Sequence, residues 1–502
     1  MGDAGEDSHS SRLAGLPSPH PTKSFWQTSH PNPTTNHRST PTLPSRSTVV
    51  VVGSGITGAF ITYDLLSHSS DLDVLVLEAR TTCSGATGRN GGHLHPIVHD
   101  QPPHIIDFEL RNFDYIKNLI TEKQIACDLR RVKGVIGFWN ETYFNEAKEA
   151  LQRSRKTAPE YARLVGIVED AEERRKLKLQ PGAVGAIVQS VAASLSPYKL
   201  VTWLWEDMIK RYPSRLNFQT TTPVQKISAV AGGHHLVHTH RGTVSAQHLI
   251  LATNGYTSHL LPAFADLITP TQAQMSALRP PPVASDRLLE YSYGFAGIGL
   301  QDRVMSDYLV QNPLETGGHL MFGGGRVYVP NYGVGVSDDD FVDPDAERYL
   351  RSLPGLLDFR SAGVDSSKTA TAESPHPSGR QEEGLLDIDA SWTGCIGYSA
   401  DLFPWIGAVP PEADVDTAPS TASAISMTTS TNLWLCAGYT GHGMTNASGC
   451  ARHVARLVLA SMFGDGDGDW RSVEERAIKA GDIPAEYVIS SARIERLKKA
   501  EV

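Results

Sequence analysis

Three glycine-dense stretches hold the residues whose types and spacing could do chemistry. The first, Gly53-Ser54-Gly55-Ile56-Thr57-Gly58, is a G-x-G-x-x-G pattern. In such a pattern the first glycine permits a tight turn, the second lets the main chain approach a pyrophosphate, and the third allows close contact between helix and strand. The helix that follows offers unpaired N–H groups and the positive end of its dipole to the phosphates. Glu78 stands 20 residues beyond Gly58, at the end of Val74-Leu75-Val76-Leu77. A carboxylate there can accept both hydrogen bonds of an adenosine ribose and would repel a 2′-phosphate, so FAD or NAD is favoured over NADP. Ala79 and Arg80, directly after it, belong to the same expected cofactor site.

The second stretch, Gly85-Ala86-Thr87-Gly88-Arg89-Asn90-Gly91-Gly92-His93, is too polar for a core strand and is placed to run under a bound dinucleotide. Small residues let the main chain approach a diphosphate, ribityl chain and flavin, with Arg89 or Asn90 supplying polar contacts. A nicotinamide enzyme has no evident need of such a loop, which favours FAD. For Arg89 and His93 a purely structural role in the loop is the competing reading. The third stretch, Gly438-Tyr439-Thr440-Gly441-His442-Gly443-Met444, precedes an apolar helical segment. A helix N-terminus aimed at a flavin pyrimidine ring would stabilise the negative charge that the ring gains on reduction. His442 is the polar group expected at the flavin edge, either in the chemistry or fixing the turn before the helix.

These stretches need a frame. Thr48-Val49-Val50-Val51-Val52 has the length and β-branched composition of a strand buried on both faces, which implies a parallel sheet. Residues 56–67 carry apolar side chains at helical spacing and 73–78 form a second short strand, completing β-α-β in about 30 residues. Further helices are predicted at 105–122 and 197–212, and strands at 132–139, 184–188, 236–240, 248–252 and 319–323. A last helix over 444–463 is expected to close the fold. Residues 1–46, rich in Pro, Ser, Thr and His, cannot bury enough surface to offset chain entropy and read as an irregular arm. Within it, Ser24-Phe25-Trp26 is either a local anchor or part of a free tail. Residues 412–431 and the Gly-Asp run at 464–469 read as surface insertions; the latter lacks the acidic ligand that a calcium loop requires.

The chain of 502 residues carries 45 Lys and Arg against 55 Asp and Glu, a formal net charge of −10, which excludes a broadly basic nucleic-acid binder. Its five cysteines, Cys83, Cys127, Cys395, Cys436 and Cys450, are scattered and form no C-x-x-C pair, so neither a disulfide framework nor a metal site is expected. No run reaches the about 18 apolar residues of a membrane helix, no signal pattern opens the sequence, and Ala500-Glu501-Val502 is not a peroxisomal address. A reducing, cytoplasmic setting without membrane or nucleic-acid partners is the expectation.

Taken together these motifs resemble the FAD-dependent superfamily of glycine oxidase, sarcosine oxidase and D-amino-acid oxidase. The likeness is strongest to its gamma-glutamylputrescine oxidoreductase subgroup, through the loop from Gly85 to Gly92, through His319-Leu320-Met321-Phe322-Gly323-Gly324-Gly325, and through Gly438 to Gly443. The wider superfamily's Trp-x-Gly, Thr/Ser-x-Asp and Pro-x-x-Gly segments are matched by Trp392, Gly394, Ser399, Asp401, Pro404 and Gly407. The matches run from about residue 48 to residue 462, leaving the arm and the 412–431 insertion outside. The resemblance implies an α/β fold with a Rossmann-like FAD-binding domain (47–127, 193–258 and 385–480) interleaved with an antiparallel-sheet substrate domain (128–192 and 259–384), and a C-terminal tail over 481–502. It also implies that Val224 meets the adenine through its backbone and that Ala252-Thr253-Asn254-Gly255 ends a strand near the cofactor.

Departures bear on chemistry. Many relatives have an arginine four residues after the Trp of the Trp-x-Gly segment, where it helps bind a substrate carboxylate; this chain has Ile396. Cys395 is one position away from the cysteine to which some sarcosine oxidases attach FAD, and Arg89 stands where dimethylglycine-type relatives have a flavin-linked histidine, so non-covalent FAD is expected. The implied reaction is oxidation of a C–N bond in an amine or amino-acid-like substrate by hydride transfer to flavin N5, with O2 or an electron carrier as the final acceptor. A carrier-linked dehydrogenase, a tailoring enzyme of secondary metabolism and a non-catalytic FAD-binding scaffold are the alternatives. Tyr291, Tyr293, Arg303 and Arg326 fall in the implied roof over the flavin and could contact substrate, but nothing in the sequence ranks them.

Overall fold

The computed structural model describes residues 13–230, 233–298, 307–360, 384–414, 432–464 and 469–500. The valine run becomes the strand Arg46–Val52, at the centre of a sheet whose order is Trp405–Ala408, Leu433–Ala437, Gly242–Leu251, Arg46–Val52, Val74–Leu77 and Leu216–Gln219. The five strands from Leu433–Ala437 to Leu216–Gln219 run parallel; Trp405–Ala408 and the hairpin Val224–Val230/His234–Thr239 add antiparallel edges. Successive side chains of a strand point to opposite faces, and both faces here are apolar. Val49, Val51, Val74 and Val76 enter one core with the helices Ile56–His68, Pro197–Arg211 and Gly443–Phe463, while Val50, Val52, Leu75 and Leu77 enter a second core on the other side.

A nine-stranded sheet forms the other layer, in the order Ile388–Ser399, Ile268–Leu278, Leu320–Gly324, Asp307–Gln311, Tyr291–Ala296, Arg130–Phe138, Gly185–Ser194 and His93–Leu94, with Val165–Val168 alongside Gly185–Ser194. Apart from one parallel contact between Tyr291–Ala296 and Arg130–Phe138, it is antiparallel. The chain is thus an α/β protein in which a Rossmann-like layer and an antiparallel roof are interleaved.

Several expectations need correction. Ile388–Ser399, placed by the resemblance in the cofactor domain, pairs along its length with Ile268–Leu278 of the roof. The helix Gly443–Phe463 does not close the fold, because Trp470–Ala480 and Ser491–Ala500 follow. In the C-terminal tail after residue 480, Arg493, 6% exposed, donates to both carboxylate oxygens of Asp401 at 2.7 and 3.0 Å and to the Phe403, Pro404 and Tyr487 carbonyls. The helix Glu141–Thr157 escapes the sequence reading because its inward face is only Phe144, Ala147, Ala150 and Leu151. Most of the 412–431 insertion and most of the Gly-Asp run lie outside the described residues. Asp469, at the end of that run, caps the helix Trp470–Ala480.

Among its described residues the arm carries one short helix, Phe25–Ser29, and is tied down by polar contacts in place of an aliphatic core. Trp26 is 1% exposed and its indole N–H donates to the Asn90 carbonyl at 2.6 Å. Ser24 donates to the Gly88 carbonyl at 2.5 Å, and Thr22 Oγ1 accepts from the Thr393 N–H at 3.0 Å. Of the two readings of Ser24-Phe25-Trp26, the structure holds the anchor.

Candidate active site

Between the two layers lies a cavity of about 850 Å³, within the about 300–1,000 Å³ usual for small-molecule and cofactor sites. The first glycine stretch forms one wall. Gly53 has φ +111°, and a Cβ there would lie 2.7 Å from the Ala252 carbonyl oxygen; a Cβ on Gly58 would lie 2.0 Å from the Gly53 oxygen. Gly58 therefore sits behind the wall, letting the helix Ile56–His68 start hard against its strand, while Gly53, Ser54, Gly55, Ile56 and Thr57 line the cavity. No side chain caps this helix at Gly55; the Ile56 N–H donates to Thr87 Oγ1 at 3.1 Å. Such a helix start is a site for anionic groups.

Glu78 is 8% exposed and lines the same wall with Ala79, Arg80 and Val224. One carboxylate oxygen accepts from the Ser54 N–H at 3.0 Å and the Ser54 hydroxyl at 2.5 Å, and the other from the Arg80 N–H at 2.8 Å. Its orientation is therefore set by three donors. A glycine cradle at a helix start beside a fixed carboxylate matches the donor and acceptor set of an adenine dinucleotide.

In the second stretch Gly85, Ala86, Thr87, Arg89, Asn90 and His93 line the cavity, whereas Gly91 and Gly92 lie behind it. The Gly91 N–H donates to the Tyr308 hydroxyl at 2.6 Å, and Asn90 folds over its own loop, accepting from the Gly92 N–H at 2.8 Å. The Arg89 head is spent on protein: it donates to the Ser84 carbonyl at 2.7 Å, Thr393 carbonyl at 2.8 Å and Thr22 carbonyl at 3.0 Å, and stands 3.3 Å from Asp339. Arg80 grips the same Asp339 at 2.8 and 2.9 Å. Burial lowers the Arg89 pKa to about 10, against the opposing pull of Asp339. Roof, arm and glycine loop thus meet on one carboxylate.

His93 accepts or donates one hydrogen bond with Ser292 at 2.9 Å and stacks on His95 with ring centroids 4.6 Å apart. Burial lowers its pKa to about 3 and also lowers those of His95, His99 and His442, so these cavity-lining imidazoles are neutral at physiological pH. His442 makes its turn contacts through the backbone: its N–H donates to the Tyr439 carbonyl at 2.8 Å and its carbonyl accepts from Asn446 at 3.1 Å. Its imidazole makes no hydrogen bond among the described residues, so the turn does not require a histidine. Gly441, Gly443 and Met444 line the cavity with it at the start of the helix Gly443–Phe463, and Gly438 stands behind them.

Three cavity groups escaped the sequence reading. Glu109, 2% exposed, accepts from the Ile97 N–H and from Asn446 at 2.8 Å each, and burial raises its pKa to about 7 in spite of those bonds. Its signal was a carboxylate inside the apolar stripe Ile105, Ile106, Phe108, Phe113 and Ile116. His95 Nε2 and His99 Nδ1 have no hydrogen-bond partner among the described residues. Cys395 and Ile396 both line the cavity, and burial pushes the Cys395 thiol up to about 12. Of the unranked roof residues, Arg326 lines the cavity, Tyr291 and Tyr293 do not, and Arg303 lies outside the described residues. Among the described residues no His/Cys/Asp/Glu group could hold a metal ion and no helix is long and apolar enough to cross a membrane.

The cradle, the fixed acidic residue and the roof define the class: a flavoprotein oxidoreductase built on a dinucleotide-binding sheet. The family profile described as FAD dependent oxidoreductase matches residues 48–457, and the chain belongs to that family. Gamma-glutamylputrescine oxidoreductase of Escherichia coli (strain K12) is 24% identical over 444 residues, covering 84% of each chain. Glycine oxidase from Geobacillus kaustophilus superposes with a TM-score of 0.58 at 18% identity, covering 83% of this chain and 94% of that one. L-alpha-glycerophosphate oxidase from Mycoplasma pneumoniae, solved with FAD bound, gives 0.55 at 16% identity, covering 83% and 95%. The two structures share the fold with this chain.

Proposed function

We propose that the protein oxidises the C–N bond of an amine or amino-acid-like substrate, using FAD held without a covalent bond. The observation that carries this reading is the continuity of one cavity, from the Gly53–Gly58 cradle and Glu78 to a chamber walled by neutral imidazoles and roof strands. FAD, when bound, supplies the hydride acceptor. The chain's own residues supply placement: Glu78 would orient the ribose, the helix start at Ile56 would meet the diphosphate, and the helix start at Gly443 would face developing negative charge. An amine must be unprotonated to give up hydride, and imidazoles kept neutral by burial neither repel an ammonium group nor hold its proton at neutral pH. The raised thiol pKa of Cys395 leaves it a poor nucleophile for flavin attachment. The names of the relatives, among them a gamma-glutamylputrescine oxidoreductase and a glycine oxidase, support an amine-type substrate.

The test is anaerobic mixing of the yellow holoenzyme with a broad panel of amines and amino acids. At least one should bleach the visible flavin band; a panel that leaves the band unchanged overturns the proposal. Adding air or an artificial carrier to the bleached enzyme then identifies the acceptor, since an oxidase recovers its colour in air and a dehydrogenase only with the carrier.

A further inference from the structure

The neutral imidazoles of the chamber leave open where the proton of an ammonium group goes. Most carboxylates on the cavity wall are engaged or exposed: Glu78 is held at the cradle, Asp307 accepts from the Gly325 N–H and the Tyr349 hydroxyl, Asp401 pairs with Arg493, and Asp100 and Glu146 are exposed. Glu109 is different. It is 2% exposed, and among the described residues its hydrogen-bond donors are all uncharged: the Ile97 N–H and Asn446 Nδ2 at 2.8 Å each, with the Thr445 hydroxyl also favouring the ionised form. The Tyr487 hydroxyl donates to Asn446 Oδ1 at 2.9 Å, which fixes the amide with its Nδ2 end on Glu109. Asn446 lies in the first turn of the helix Gly443–Phe463, and Gly443, Met444, Thr445 and Asn446 line the cavity together with Glu109. The carboxyl group is thus set at the helix start that the functional reading puts against the flavin. A carboxylate has about four acceptor sites, so three donors leave one unfilled on a group that lines the cavity. The titratable groups around it are uncharged at neutral pH: burial raises the pKa values of Tyr487 and Cys450 and lowers those of His95, His99 and His442. Charged side chains of the same elements, Arg111 with Asp107 and His104 with Glu486, pair at the surface. A buried carboxylate in an uncharged shell carries a desolvation cost that an entering ammonium group relieves, while burial still penalises both ions of the pair. Transfer of the proton removes both charges: an N–H bond breaks, an O–H bond forms on the carboxylate, and the electron pair stays on nitrogen, where hydride loss from the adjacent carbon requires it.

We propose that Glu109 receives the substrate's ammonium group and accepts its proton, an inference that rests on the amine-oxidation reading and supplies its base. The probe is tert-butylamine, which has no hydrogen on the carbon next to nitrogen and so binds without being oxidised. It is titrated against wild-type and Glu109→Gln holoenzyme while the flavin spectrum is followed. Wild-type affinity should rise as pH passes through about 7, where the Glu109 carboxyl ionises. Glu109→Gln should lack that rise and, above it, bind roughly 10- to 100-fold more weakly, in line with hydrogen bonds to charged groups. A second measurement uses the wild type alone. With Glu109 ionised, at about pH 8, infrared difference spectra should show a protonated carboxyl band on adding tert-butylamine and none on adding tetramethylammonium, which has no proton to give. Equal affinity with an equal pH rise in wild type and Glu109→Gln overturns the proposal, and so does the absence of the carboxyl band with tert-butylamine. Loss of FAD from Glu109→Gln with unchanged amine affinity in the remaining holoenzyme overturns it as well, and assigns the carboxylate to holding the helix start. A wild type that binds tert-butylamine through Glu109 yet is bleached by no amine would sink the amine-oxidation reading and leave the cation site standing. Amines that bleach wild type and Glu109→Gln at the same rate, with the same pH dependence, would keep that reading and remove the base.

Discussion

Asp339→Asn should be a strongly destabilising isosteric change. The side chain of Asp339 is 0% exposed and its two oxygens take Arg80 at 2.8 and 2.9 Å, with Arg89 at 3.3 Å. The arginine side chains are 9% and 2% exposed, so removing the negative charge leaves two buried cations facing an amide that presents a donor to one of them. Breaking a buried pair from one side costs about 3–5 kcal/mol, and the shared geometry places this pair at the upper end. The assay is denaturant unfolding of holoenzyme at neutral pH, with FAD content measured in parallel, because Arg80 and Arg89 carry the segments that line the cofactor wall. Adding Arg80→Met to Asp339→Asn should recover part of the loss, since one stranded charge is removed. A loss below about 1 kcal/mol, the range of exposed pairs, or a double variant weaker than the single one, would refute the reasoning.

Other outcomes follow from the same geometry. Glu109 has a folded pKa of about 7 against a model-peptide value of 4.5, so it binds more protons folded than unfolded between those values, and stability should fall as pH rises from about 4.5 to about 7. Glu109→Gln should flatten that stretch of the stability–pH profile, by an amount on the order of 3 kcal/mol; an unchanged profile would show that the burial cost is absent. Trp26→Ala should cost about 3–5 kcal/mol and raise the FAD dissociation rate, because the indole holds the Asn90 carbonyl of the glycine loop; unaltered flavin retention on dilution would reduce the arm to a covering. His442→Ala should keep its yellow colour and lose substrate-driven bleaching, since the backbone alone makes the turn, whereas loss of FAD on purification would place His442 in cofactor retention and not in the chemistry.

The legible parts of this protein were those whose causes are local. Gly53 to Gly58 could be read because a strand, a tight turn and a helix start lie within about 30 residues and steric limits on the turn demand glycine there. Glu78 followed from the same unit. The convergence of Glu109, His95, His99 and His442 could not be read, because it is produced by packing a helix near residue 109 against one near residue 446. Arg89 shows the difference at a single residue: its type left a polar contact to the cofactor and a structural role in the loop both open, and tertiary contacts to Thr22, Ser84, Thr393 and Asp339 take up its donors. The arm shows it for a segment, since its composition lacks an aliphatic core yet hydrogen bonds to Gly88, Asn90 and Thr393 dock it.

From residues 48 to 78 alone, the backbone rules for glycine and the two-faced apolar strand set the expectation of a dinucleotide cradle and of a preference against a 2′-phosphate. Only the folded chain decided which arginine is spent and which is spare. Asp339, more than two hundred residues from Arg80 and Arg89, pairs with both, while Arg326 meets only the neutral oxygens of Tyr332 and Tyr398. A side chain's charge is written in its type, but whether that charge is already satisfied depends on neighbours brought in from across the fold.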